Sequence, residues 1–155
     1  MALSTVNREG TSFTLIDDSF NANPDSMKAG LNGLKAWNSN DGKEPFRVAL
    51  LGAMLELGAD ETALHTSIGT YAAELGIDAI IVVGSAQDQH LDALAQALAD
   101  GARQTPSASV DCVHDIDAAE QLVVDLARNH PDAVVLLKGS HASGLSALAE
   151  RWAKN

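Results

Sequence analysis

Three short stretches hold the side chains able to do chemistry, and each follows an apolar run. In Leu15-Ile16-Asp17-Asp18-Ser19-Phe20-Asn21-Ala22-Asn23-Pro24 the run stops at two acids, then sets out two asparagines before a proline. The stretch from Leu50 to Gly58 leaves through Gly52 and carries Glu56 among bulky apolar residues, with His65 nine residues beyond that acid. The third stretch is Lys138-Gly139-Ser140-His141, followed by the small residues Ala142, Ser143 and Gly144.

A carboxylate in a turn either caps local amides or accepts from a ligand hydroxyl. Two in succession cannot serve one cap, so Asp17 and Asp18 together leave a carboxylate for a ligand. Pro24 suits the first position of a helix and Asn23 its N-cap, which divides Asn23 between capping and ligand contact. A lysine, a hydroxyl and small residues opening a helix form an anion or carboxylate site; alternatively the lysine lies along the surface and the serines only cap. His65 reads equally as a capping or surface residue. Ser-His-Asp catalysis from Ser140 with His65 or His141 lacks the nucleophile-elbow pattern. Neither a GxxxxGK[ST] loop nor a GxGxxG turn occurs, so this chain supplies only part of a nucleotide site.

These residues need rigid supports, and the order of elements provides them. Short β-branched runs at Arg47 to Leu51, Asp78 to Val83, Ser109 to Val113 and Ala133 to Leu137 read as strands buried on both faces. Leu3 to Val6 and Ser12 to Asp17, joined through Arg8-Glu9-Gly10, read as a hairpin. Helical stripes alternate with the strands: Met27, Leu31 and Leu34; Leu64, Ile68, Tyr71 and Leu75, stopped by Gly76; Leu91, Leu94 and Leu98 before Gly101; Ile116, Ala119, Val123 and Leu126; Leu145, Leu148 and Trp152. The expected fold class is α/β, a Rossmann-like, doubly wound, mostly parallel sheet with an antiparallel N-terminal edge hairpin. Ligands of such a sheet bind beyond the carboxyl ends of its strands. Asn38 to Pro45 and Gly101 to Ser109 read as loops within one domain.

Composition narrows the partners. A formal net charge of -11 over 155 residues opposes a nucleic-acid backbone. The single cysteine, Cys112, excludes an internal disulfide and reads as a buried thiol. No signal-peptide pattern opens the chain and no apolar run reaches the length of a membrane span. A soluble, cytoplasmic protein is expected.

At the three stretches above the chain resembles the Mur ligase family, closest to its members that add D-alanyl-D-alanine to the UDP-N-acetylmuramoyl tripeptide. The residues carrying the resemblance are Asp17 to Met27, reading DDSFNANPDSM, then Leu51 to Gly58 with His65, and Lys138-Gly139-Ser140. Ligases of this kind have a UDP-sugar domain, a central P-loop ATPase domain and a C-terminal Rossmann-like domain. The resemblance implies that residues 1–155 are the third domain alone, a lid that closes over the central one. It implies ATP and Mg2+ as cofactors, held mainly by that central domain, with UDP-N-acetylmuramoyl tripeptide and D-alanyl-D-alanine as substrates. The tripeptide carboxyl is activated as an acyl phosphate, which the incoming amine attacks. By motif, Asp18 resembles the acid on the nucleotide ribose, and Asn21 and Asn23 resemble polar contacts near nucleotide and substrate. Lys138, Gly139, Ser140 and His65 would lie toward the dipeptide. No catalytic residue or metal ligand is assigned to this chain.

Two positions depart from the family pattern: Ala53 stands where an acid is usual, and His141 where arginine is common. Other Mur-type, folylpolyglutamate or cyanophycin ligases share the architecture, but DDSFNANP fits the dipeptide-adding members better. A stand-alone nucleotide- or partner-binding module, flavodoxin-like or receiver-like, is the reading from a different class; a receiver would need an acceptor aspartate ending a later strand, which the strand ending at Leu51 does not supply.

Overall fold

The computed structural model describes residues 2–19, 22–39, 41–55, 57–106 and 108–154. The elements run β1 (Ala2–Arg8), β2 (Thr11–Asp18), α1 (Pro24–Ala36), β3 (Arg47–Gly52), α2 (Glu61–Glu74), β4 (Ala79–Val83), α3 (Gln89–Arg103), β5 (Ser109–Val113), α4 (Ile116–Asn129), β6 (Val134–Lys138) and α5 (Leu145–Ala153). Single 3-10 turns lie at Gly58–Asp60 and His141–Ser143.

Glu9 and Gly10 both have positive φ, 50° and 77°, the backbone of a two-residue turn whose twist suits a hairpin. Arg8 accordingly faces Thr11, and β1 pairs antiparallel with β2. The six strands form one sheet in the order β1-β2-β6-β3-β4-β5, parallel beyond the hairpin. This is the expected doubly wound sheet with an antiparallel N-terminal edge.

Alternation along the strands builds two cores. Ala49 and Leu51 point to the face covered by α1, α2 and α3, whereas Val48 and Leu50 point to the face covered by α4 and α5. Every residue of β3, β4 and β6 is buried, because helices close both faces. β5 corrects the expectation of strands buried on both faces: it pairs only with β4 and is half-exposed, with Asp111 turned to solvent. A charge there discourages pairing by a further strand. Cys112, on this edge, is half-buried.

The α2 stripe also differs. Ile68 is buried as expected, but its buried companions are His65, Gly69, Ala72 and Ala73, while Leu64, Tyr71 and Leu75 are only half-covered. The cause is backbone contact with α3. A Cβ on Gly69 would lie 1.9 Å from the Leu98 carbonyl oxygen, and one on Gly101 would lie 2.1 Å from that of Thr66. Gly101 is therefore inside α3 as a packing contact, not its stop, and the second expected loop begins after Arg103.

On the other face, Glu120 of α4 is a buried carboxylate shared by three elements. It accepts from Trp152 Nε1 at 2.6 Å and Arg151 at 2.9 Å, and pairs with Arg8 at 3.0 Å. Burial alone would raise its pKa, but the donors from Trp152 and Arg151 and the Arg8 charge outweigh burial and hold it below the usual value. Trp152 also meets Phe13 edge-on, with ring centroids 5.1 Å apart. Among the described residues no helix is long and apolar enough to cross a membrane.

Two glycine substitutions should separate helix propensity from packing. Gly33→Ala in α1 places a methyl in open space and should stabilise by about 1 kcal/mol. Gly69→Ala gains the same propensity but drives the methyl into a main-chain oxygen, at a cost near the upper end of about 1–3 kcal/mol, so a net loss is expected. Urea unfolding with unchanged m-value measures both, and equal effects at the two positions would refute this packing account.

Candidate functional site

The parallel register brings the carboxyl ends of the strands to one edge. Asp18 of β2 stands opposite Lys138 of β6, and Lys138 opposite Leu51 of β3. The three sequence stretches thereby converge, since β6 lies between β2 and β3.

The two acids divide their work. Asp17 Oδ1 accepts from the backbone N–H of Ser19 at 3.1 Å, turning the chain as the strand ends. Asp18 Oδ2 accepts from Lys138 Nζ at 2.7 Å, and the side chain remains 26% exposed. Asp18 is therefore at the rim, half-covered and oriented by a lysine. Asn23 is the N-cap of α1: its Oδ1 accepts from the Ser26 N–H at 2.8 Å, and Ser26 Oγ accepts from the Asn23 N–H at 3.0 Å. This reciprocal cap, followed by Pro24, explains why α1 starts there. Asn23 is exposed, with its side-chain oxygen committed to the cap. Asn21 and Glu56 lie outside the described residues.

Lys138 does not lie along the surface; its side chain is 2% exposed. Its contact with Asp18 joins it to the acid expected at the nucleotide and not directly to the dipeptide side. α1 makes room for it, because a Cβ on Gly30 would come within 3.0 Å of Lys138 Cδ and 3.6 Å of Asp18 Oδ2. Gly139 is a close-approach position: a Cβ there would lie 2.9 Å from Gly52 Cα and 2.9 Å from Ser143 Oγ. A Cβ on Gly52 would in turn fall 2.4 Å from Ser143 Cβ. The turn His141–Ser143 thus sits directly on the junction of β3 and β6, and α5 follows it. Ser143 Oγ donates to the Ser140 carbonyl at 2.6 Å, and Ser146 Oγ to the Ser19 carbonyl at 3.1 Å. The Ser19 and Ser140 hydroxyls are both buried, with no hydrogen-bond partner among the described residues. Most buried hydroxyls have such a partner, which sets these two apart.

His65 corrects the expectation that it faces the dipeptide. It is 0% exposed; its Nε2 accepts from the Met54 N–H at 2.9 Å, and its Nδ1 donates to the Glu61 carbonyl at 2.7 Å. With both nitrogens occupied, the ring has nothing to offer a ligand. Burial holds its pKa below the ordinary histidine value, against the opposing pull of Glu61. Ala53 is buried with Leu91 and Leu94, so at this departure from the family pattern the side chain packs and does not face the cleft. His141, the other departure, is exposed. Gly30 and Ser146 were not named by sequence reasoning, and Ser19, Gly52 and Ser143 entered it only as members of their stretches, with no role of their own. The signal for Gly52 was available, since it ends one apolar strand as Gly139 follows another that lies parallel to it.

With Lys138 committed to Asp18, what this rim presents to solvent is a partly exposed carboxylate, an acceptor for hydroxyl or amide donors. Among the described residues no three His, Cys, Asp or Glu side chains group as metal ligands.

Residues 3–141 match the family model described as Mur ligase, glutamate ligase domain. The UDP-N-acetylmuramoyl-tripeptide–D-alanyl-D-alanine ligase of Mycobacterium tuberculosis (strain CDC 1551 / Oshkosh) is 38% identical over 151 residues, covering 94% of this chain and 29% of the relative. The protein of that name from Escherichia coli K12 is 40% identical over 70 residues, 45% of this chain. The chain therefore spans less than a third of the length of the relatives it matches. Among solved structures, MurF from Acinetobacter baumannii superposes with a TM-score of 0.70 at 24% identity over 99% of this chain and 30% of its own. MurF ligase from Thermotoga maritima, in complex with ADP, gives 0.65 at 22% over 97% and 30%; at these identities the likeness speaks to the fold. With the family model spanning nearly the whole sheet and the three motif stretches meeting at one edge of it, the chain belongs to the Mur ligase family, in its glutamate ligase domain.

Proposed function

We propose that residues 1–155 act as one domain, the C-terminal lid of an ATP-dependent ligase that adds D-alanyl-D-alanine to UDP-N-acetylmuramoyl tripeptide in peptidoglycan synthesis, working in the cytoplasm where ATP and UDP-linked precursors are available. The observation that carries this reading is the convergence of Asp18, Lys138, Gly139 and Ser140 at the carboxyl edge of β2, β6 and β3, in a chain 38% identical over 94% of its length to a ligase of that name.

In this reading Asp18 binds the ribose of ATP, its carboxylate held in place by Lys138, with Asn23 at the same rim; Asn21 is assigned to the nucleotide by its motif alone. Gly139 and Ser140 lie toward the dipeptide, where the close approach of Gly139 to Gly52 leaves main chain at the strand ends. His65 and Lys138 act behind these contacts. ATP, with Mg2+ held mainly by a central domain, supplies the activation that a carboxylate needs before an amine can attack it. This chain positions the reactants and, on closure, excludes the water that would otherwise compete with the amine.

Two outcomes test the reading. The purified 155-residue chain should release no phosphate from ATP above the buffer rate, with or without D-alanyl-D-alanine; measurable turnover would show that the chain holds a complete catalytic site. In the full-length ligase, Asp18→Glu, which keeps a carboxylate for Lys138 but shifts it relative to the ribose, should raise the KM for ATP about tenfold, about 1.5 kcal/mol of charge-assisted hydrogen bonding, while the KM for the dipeptide moves less than threefold. Equal effects on both substrates would remove Asp18 from the ribose.

A further inference from the structure

His65 is the fifth residue of α2 and is wholly enclosed. A buried imidazole must satisfy two ring nitrogens, and here the partners dictate how. The Glu61 carbonyl can only accept, so Nδ1 carries the proton. The Met54 N–H can only donate, so Nε2 is the acceptor. One neutral tautomer satisfies both contacts; the other tautomer breaks both, and the imidazolium breaks the contact with Met54.

The consequence lies one residue away. Met54 follows Ala53, whose carbonyl accepts from the Ser140 N–H at 3.1 Å. Beside that bond, Gly52 and Gly139 are already in contact. A line of main-chain contacts thus runs from α2 through His65 to Met54, across Ala53 to Ser140, whose buried hydroxyl has no partner among the described residues.

We propose that His65 is a positioning residue for the dipeptide side of the site: in its Nδ1–H form it fixes the main chain leaving β3, and through the Ala53 carbonyl it fixes Ser140. This rests on the reading of that edge given above. The charged groups around the ring are few. Glu61 lies on its own helix and pairs with His90 at the start of α3 at 2.7 Å, while the described residues of the facing loop, Ala53, Met54, Leu55 and Leu57, carry no charge. The lowered pKa of His65 keeps the relay intact through neutral pH.

The test has two arms. In the full-length ligase, His65→Gln keeps an acceptor for Met54 and a donor for Glu61, whereas His65→Leu keeps bulk but strands the Met54 N–H. His65→Leu should raise the KM for D-alanyl-D-alanine at least tenfold with the KM for ATP within twofold, and His65→Gln should stay within threefold of the parent on both. A dipeptide KM unmoved by His65→Leu, or equal damage in the two variants, overturns the proposal. If the parent enzyme itself does not use this dipeptide, the functional reading fails and the second arm still decides the relay. That arm uses the 155-residue chain as it stands: nitrogen-15 spectra should show the Nδ1–H tautomer at pH 7, and on acidification the Met54 and Ser140 amide signals should shift together, with the midpoint of the His65 ring. A ring in the Nε2–H form, or a Ser140 amide that ignores the His65 titration, overturns it.

Discussion

An ammonium group almost wholly removed from water is tolerated only with an opposite charge in contact, and Lys138 is in that position at the end of β6. Much of the candidate site follows from satisfying it. Its partner is Asp18, at the end of the neighbouring strand and in register with it. Its aliphatic stem needs the space that Gly30 leaves on α1, which brings that helix down onto the junction of β2 and β6. The acid that the family resemblance places on a ribose is therefore not a loose rim residue. Its position is set by a charge that cannot leave.

Beside this pair, the structure uses missing side chains as deliberately as present ones. Gly52 and Gly139 bring β3 and β6 closer than any Cβ would permit, and Ser143 closes over them. Gly69 and Gly101 play the corresponding part far from the site, seating α2 against α3 and so fixing the helix on which His65 stands.

Much of this was legible in the sequence because local rules and long-range packing agree. The hairpin, the strand positions, the capped start of α1 at Asn23-Pro24 and the α5 stripe of Leu145, Leu148 and Trp152 all follow from turn chemistry and periodicity. The misreadings arose where a contact distant in sequence decides the outcome. Gly101 looks like a stop because nothing local reveals that Thr66 will lie against it. The α2 stripe is displaced because Gly69, not a bulky residue, marks the closest approach. His65 and Lys138 were recognised as chemically capable, but whether such a group faces a ligand or another part of the protein depends on what packs over it. For His65 that is Met54, and for Lys138 it is Asp18. The half-exposed β5 was misread because a strand's place in the sheet order, and hence its number of neighbours, is not written in its own five residues.

The sheet order has one more consequence. β6, the last of these six strands in chain order, fills the gap between β2 and β3, so until it leaves the ribosome those earlier strands have no shared neighbour to join them. The hairpin and the β3-to-β5 half can form only as separate pieces until the final segment emerges and threads between them. Maturation of this domain is thus a late, concerted closure that depends on contacts of long sequence separation, the kind that slow folding. A nascent chain arrested before Val134 would expose two raw strand edges, a natural substrate for chaperones.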